Sequence, residues 1–249
     1  MVTKPETLQI DALKQGRVTL KMIGQTGLYF NAMSAKAKRT LLIGGGKKTA
    51  AEKRELKHDP EAEFRDSVYR MLGGPTYLGF PAPGVKSAMA TAALETPGVT
   101  KSSVQRLIFL PEQKIKVWGR PYLKCDVVRS ADMARTPDIR TRAFLPRWCA
   151  EVDIAFVSPT LSVFSIASLL SNAGIVCGIG DFRQEKGKGG YGSFAVHGDD
   201  LGDCADLWAE ITAEGRAVQE AAMTLPEPAD QETSDLLAML DEERGRRGL

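Results

Sequence analysis

Apolar and polar positions alternate most clearly at two places. Val18, Leu20 and Met22 are separated by Thr19 and Lys21, the period of two that predicts a strand with one buried face, and Gly24 and Gly27 mark a bend after it. Val152, Ile154 and Phe156, interleaved with Glu151 and Asp153, predict a second strand over 148–157. A helix over 162–172 follows, with Val163, Ile166, Leu169 and Leu170 on one face and Asn172-Ala173-Gly174 as its stop. Residues 175–179 read as an apolar strand, 180–193 as a glycine-rich loop and 194–196 as a further strand. Between the two clear strands, Pro60 behind Asp59 opens a helix carrying Phe64 and Val68, and 73–84 is a loop by composition. A short alanine-rich helix covers 84–95, and residues 104–110, 115–118 and 123–128 are β-rich. A β-α-β-β run of this kind is half of a split βαβ unit. The expected class is α+β: an RRM- or ferredoxin-like antiparallel sheet with helices on one face. It would occupy 1–198 with an insertion at about 31–100, followed by a helical segment over 199–249.

Charge changes this picture more than composition does. The chain has 249 residues, 43% hydrophobic and 26% charged, which is ordinary globular usage. No apolar run approaches the roughly 18 residues of a membrane span, and no apolar leader follows Met1, so a cytoplasmic protein without membrane partners is expected. The net charge of +2 conceals an asymmetry: residues 199–249 hold 14 acids against 4 bases, leaving the preceding body at +12. A basic body beside an acidic segment suggests a nucleic-acid partner. The acidic segment is expected to fold back over the basic surface as a competing polyanion or to recruit a partner, with 200–222 docked through Leu207, Trp208 and Ile211.

The residues that usually carry catalysis are sparse. Cys125, Cys149, Cys177 and Cys204 form no Cys-x-x-Cys pair, so reduced thiols, no metal and no cofactor are expected. Only His58 and His197 supply imidazole, and neither Gly-x-Ser-x-Gly nor His-Glu-x-x-His occurs. Gly44-Gly-Gly-Lys47-Lys48-Thr49 is not a phosphate-binding P-loop, because Lys48 intervenes before Thr49 and the first glycine is missing.

The bases instead gather in three stretches beside glycine or proline. The first includes Lys36, Lys38, Arg39, Lys47 and Lys48 and reads as a mobile basic loop or a solvated surface. The second is arginine-studded: Arg135, Arg140, Arg142 and Arg147. Their forks suit phosphate, Arg140 and Arg142 share a face of an extended chain, and the alternative is pairing with Asp126, Asp132 and Asp138. The third, Gly178 to Phe194, sets six glycines among Arg183, Lys186 and Lys188. Its backbone N–H groups are expected to form a nest for phosphate, with Tyr191 stacking on a base; the alternative is a flexible, soluble hairpin.

The strand over 148–157, the helix after it and the loop from Gly178 to Phe194 resemble the RAMP superfamily of CRISPR-associated proteins, as does the strand over 18–30 followed by a basic insertion. That resemblance implies an RRM-like fold with a glycine-rich loop near its C-terminal end. It further implies a backbone subunit with a thumb-like insertion that polymerises along a guide RNA. The function expected is non-enzymatic binding of single-stranded RNA or DNA by a homo-oligomer or a subunit of a larger complex. The alternatives are a bacteriophage single-stranded DNA-binding or annealing protein, a viral assembly protein, and a metal-independent RNA endonuclease using His197.

Overall fold

The computed structural model describes residues 12–44, 56–129, 135–186 and 189–248. Its main sheet is antiparallel. At its centre β1 (Lys14–Gly24) and β9 (Cys149–Ser158) pair in register from Lys14↔Ser158 to Ile23↔Cys149. β10 (Phe194–His197) lies outside β1, while β6 (Lys114–Trp118), β4 (Leu78–Pro81) and β3 (Tyr69–Arg70) follow β9 on the other side, and β5 (Ile108–Phe109) also pairs with β9. Two helices cover one face and pack on each other: α3 (Ala82–Ala92) and α5 (Val163–Val176). The crossover from β9 through α5 to β10 straddles β1, and the one from β1 through α3 to β6 straddles β9. Two interleaved split crossovers define the ferredoxin-like arrangement that the sequence pattern predicts.

A second sheet extends the first. β2 (Leu28–Tyr29), β8 (Pro137–Leu145) and β7 (Tyr122–Arg129) pair in that order, and each is the chain neighbour of β1, β9 and β6 respectively. Three adjacent strands therefore break at one level and resume in the same order. The breaks fall at Gly24–Gly27, at Gly119–Pro121 and at Pro146, where Gly119 takes φ +122° and a side chain on it would strike the Arg147 carbonyl at 2.4 Å. Trp148, fully buried at this corner, donates its indole N–H to the Thr26 carbonyl at 2.8 Å.

The remaining helices are α1 (Ala35–Ile43), α2 (Pro60–Asp66), α4 (Lys101–Leu107), α6 (Ala205–Ala213), α7 (Arg216–Thr224) and α8 (Gln231–Arg247). Asp59 caps α2 as its position before Pro60 predicts. Three expectations need correction. Residues 175–179 are not a strand: α5 runs on to Val176, because Gly174 serves close packing rather than termination, a Cβ there meeting the Phe194 carbonyl at 2.1 Å. Val104 is helical, since Thr100 and Ser103 form a reciprocal capping box that starts α4. Of the segment expected as an insertion, β4 and α3 are built into the sheet and the helical layer, burying Leu78, Phe80, Val85 and Met89.

The acidic segment is also part of the body rather than an appendage. Gln219 of α7 is fully buried; its Oε1 accepts from the backbone N–H of Tyr77 and Leu78, and its Nε2 donates to the carbonyls of Val117 and Gly119. Residues 227–229 run beside β7, with Leu123 N–H donating to the Glu227 carbonyl at 2.8 Å, and Leu236 and Leu237 of α8 pack against the main core. Residues 225–248 are thus docked on the body. Among the described residues no helix is long and apolar enough to cross a membrane.

Asp230 ties α8 to β7. Hydrogen bonds from the Lys124 ammonium and the Thr233 hydroxyl lower its carboxyl from the ordinary 3.8 to about 2. The folded value lies below the unfolded one, so the contribution is present above about pH 4 and disappears as the pH falls towards 2. Asp230→Asn keeps the helix cap but removes the charge. It is expected to lower the urea midpoint at pH 7 and to converge with the parent protein near pH 2.

Candidate nucleic-acid interface

The bend in the sheets places β8 beside the glycine-rich loop, and one arginine occupies the junction. Arg142 is 1% exposed. Its Nη1 donates to Asp181 Oδ2 at 2.7 Å and its Nη2 to Asp126 Oδ2 at 2.8 Å, so one fork holds a carboxylate from the loop and another from β7. The guanidinium carbon lies 4.3 Å from the centre of the Phe182 ring and 4.8 Å from that of Tyr29, within cation–π range of both. Tyr29 meets Phe144, Phe182 and Tyr191 at 4.7, 5.7 and 4.9 Å between ring centres. Burial, with Asp126 beside it, holds the Tyr29 hydroxyl well above the ordinary phenol range.

The same centre reaches all three basic stretches. Asn31, just before α1, donates to Asp181 Oδ2 at 2.8 Å. The base of α1 is fixed by its Ala35 N–H, which donates to Asp66 Oδ2 at 2.8 Å. The return of the first stretch touches the second: Lys57 pairs with Asp138 on β8, and His58 places Nε2 3.0 Å from Asp138 and Nδ1 2.9 Å from Glu63. Asp181 itself opens the third stretch.

The fates of the sequence-predicted residues differ. Lys36, Lys38 and Arg39 are exposed on α1, a helix that buries none of its residues. Arg140 is exposed on β8, opposite Asp126 in register, and forms no ion pair with a described residue. Arg135, two residues before β8, is exposed with φ +45°. Arg142 shares the strand of Arg140 but is a structural residue, which corrects its assignment to a phosphate contact: the bound carboxylates occupy its fork. Arg147 faces solvent and pairs with Glu210 at 2.8 Å, so the acidic segment already holds it. Arg183 bonds Glu185 at 2.8 Å and the Gly180 carbonyl at 3.0 Å. Lys186 ends the short turn Gln184–Lys186. Lys47, Lys48 and Lys188 lie outside the described residues.

In the described part of the glycine-rich loop, many backbone N–H groups are already bonded within the protein. The backbone N–H groups of Gly178, Ile179, Asp181, Glu185, Tyr191 and Gly192 all donate to carbonyls of the protein, and that of Phe182 donates to the Asp181 side chain. Gly192 is required by close approach: at φ +72°, a Cβ would stand 1.7 Å from the Ile179 carbonyl. Tyr191 is 38% exposed and rests edge-on against Tyr29 and Phe144, presenting part of its ring outward. Sequence reasoning missed Tyr29, Phe182 and Asp181 as the partners of Arg142. The only available signal was Asp126, counted among possible arginine partners.

On the face of the main sheet opposite α3 and α5, Ile23, Trp118 and Cys149 are covered by Ile211 of α6, while the strand positions Thr19, Lys21, Lys116, Glu151 and Asp153 are polar and Lys116 pairs with Glu151 at 3.3 Å. Among the described residues no three His, Cys, Asp or Glu side chains group to hold a metal. Three of the four thiols are buried, and all four are free.

No protein-family model matches the chain, and no curated protein matches it. Among solved structures it is similar to the crystal structure of Cmr6 from Pyrococcus furiosus. The two are 12% identical with a TM-score of 0.34, over 74% of this chain and 99% of that one.

Removing the Arg142 charge leaves two partly buried carboxylates facing each other. Arg142→Met is expected to cost about 3 kcal/mol in urea unfolding, and Arg142→Lys to recover little, since an ammonium cannot span both carboxylates. Adding Asp126→Asn and Asp181→Asn to Arg142→Met should restore part of the loss.

Proposed function

We propose that this chain binds single-stranded nucleic acid without catalysing a reaction on it, as a repeating subunit along RNA in a CRISPR-like ribonucleoprotein. The observation that carries this reading is the convergence of three basic stretches, remote in sequence, around the Arg142 centre. The exposed bases on the segments tied to that centre are Lys36, Lys38 and Arg39 on α1 and Arg140 on β8, and the Tyr191 ring on the loop is partly exposed. Bases of this kind neutralise phosphates without reading sequence, and a partly exposed aromatic ring offers a stacking surface to an unpaired base. The ferredoxin-like frame with its glycine-rich loop between α5 and β10 supports the RAMP-like reading. A polar sheet face argues against base stacking on the sheet itself, so binding is assigned to the end of the molecule built from the second sheet.

Both ring nitrogens of the other histidine, His58, are taken by Glu63 and Asp138, so the nuclease reading names His197 first. It lies on β10, opposite Lys21, and none of the described carboxylates bonds its ring to orient it as a general base. The binding reading is therefore preferred.

The test is the salt dependence of affinity for a single-stranded oligonucleotide. Replacing Lys36, Lys38 and Arg39 together by Gln is expected to reduce the slope of log K against log salt by about 2, and Arg140→Gln by about 0.7. Arg147→Gln, whose charge is already held by Glu210, should change it less. Slopes unaffected by the α1 and β8 substitutions would remove this surface from the interface.

A further inference from the structure

α1 joins the body at its base. None of its nine residues is buried, and Leu41, Leu42 and Ile43 towards its far end are 74%, 88% and 67% exposed, so apolar packing does not set its direction. The chain enters the helix past one corner of the fold, Asp66–Ser67 at the end of α2. The Ser67 carbonyl accepts from the Ala32 N–H at 2.7 Å, ahead of the helix, and Asp66 Oδ2 accepts from the Ala35 N–H at 2.8 Å, at its first residue. The corner is fastened to β8 in turn: the buried Ser67 hydroxyl accepts from the Ala143 N–H at 2.9 Å and donates to the Phe64 carbonyl at 2.7 Å. Hydrogen bonds thus run from the residue after Arg142, through Ser67, to the entry of α1.

Capping and anchoring are divided between two side chains. Ser34 is the N-cap, its Oγ accepting from the Ala37 N–H at 3.2 Å, so the helix keeps its cap without Asp66. Asp66 bonds a different amide and ties the first turn to another element. We propose that Asp66 is a positioning residue for the bases of α1: it holds the helix in one direction, so that Lys36, Lys38 and Arg39 meet a polyanion together instead of being ordered only on binding. This rests on the nucleic-acid reading and deepens it, since Asp66 itself touches no ligand. The proposal carries an unusual sign. A carboxylate at the base of a basic helix weakens the attraction of that helix for phosphate, so by charge alone its removal tightens binding. Positioning through the hydrogen bond to Ala35 requires the reverse.

Two substitutions in the full chain separate the hydrogen bond from the charge. Asp66→Asn loses the charge and keeps an oxygen that accepts from Ala35; Asp66→Ala loses both. In nitrogen-15 relaxation of the free protein, Asp66→Ala is expected to lower the order parameters of the α1 amides below about 0.6, while Asp66→Asn leaves them at the parent value. On a single-stranded oligonucleotide, Asp66→Ala is expected to weaken binding about fivefold and to reduce the slope of log K against log salt by about 1, although every base is still present. Asp66→Asn should bind as tightly as the parent or more tightly. With Lys36, Lys38 and Arg39 all replaced by Gln, Asp66→Ala should cost nothing further. Unchanged order in α1, equal affinities of the Ala and Asn variants, or a loss that persists in the triple-Gln background would overturn the role of Asp66. A triple-Gln protein with the parent's salt slope would instead remove α1 from the interface, and the nucleic-acid role of Asp66 with it, even where the relaxation result holds.

Discussion

A guanidinium removed from water needs opposite charge and hydrogen-bond acceptors around it, or its burial costs more than the fold can spare. Arg142 meets that requirement with Asp126 from the neighbouring strand and Asp181 from a loop almost forty positions further along the chain. Its flat faces are covered by Tyr29 and Phe182, so both Nη groups meet carboxylates and the faces meet aromatic rings, while the buried Nε bonds no described residue. The arrangement fixes four separate segments relative to one another. Because Asn31 shares Asp181 and α1 starts four residues later, the position of the basic helix depends on it as well.

The bent sheet is what brings those segments within reach. Breaks at one level in three neighbouring strands turn β2, β8 and β7 away from the main sheet while conserving their order. The glycine-rich loop fills the corner, and Gly178, Gly180, Gly189 and Gly192 serve close backbone contact. The C-terminal segment closes the opposite side of β7 and takes several bases out of circulation: Arg120 pairs with Glu227, Lys124 with Asp230 and Arg147 with Glu210. The near-neutral net charge therefore arises partly from compensation inside the fold. Lys36, Lys38 and Arg39 on α1 and Arg140 on β8 remain exposed and form no ion pair with a described residue.

Period-two alternation at Val18–Met22 and Val152–Phe156 made the two central strands legible, because one face of each is buried and the other polar. The cap at Asp59-Pro60 and the apolar stripe of α5 were legible for similar local reasons. The end of α5 was not, since Gly174 carries the composition of a stop while its role is set by Phe194 on a strand twenty residues away. The site was legible as three basic stretches but not as a juxtaposition. Arg140 and Arg142 have the same residue type, strand and face; only Asp181 and the rings of Tyr29 and Phe182, contributed from distant segments, make one a surface charge and the other a structural pin. The acidic segment misled for the same reason: its charge is visible in the sequence, whereas the fully buried Gln219 and its four hydrogen bonds depend on β4 and the end of β6.

The central claim is that the Arg142 centre assembles one nucleic-acid surface from segments remote in the chain. Photo-crosslinking of the intact protein to a 4-thiouridine-substituted single-stranded RNA, with the crosslinked peptides identified by mass spectrometry, tests it most directly. The account predicts crosslinks to α1, to the exposed part of β8 around Arg140 and to Tyr191 in the same complex. Crosslinks confined to the face of the main sheet around Lys21 and Lys116, or none at all, would contradict it.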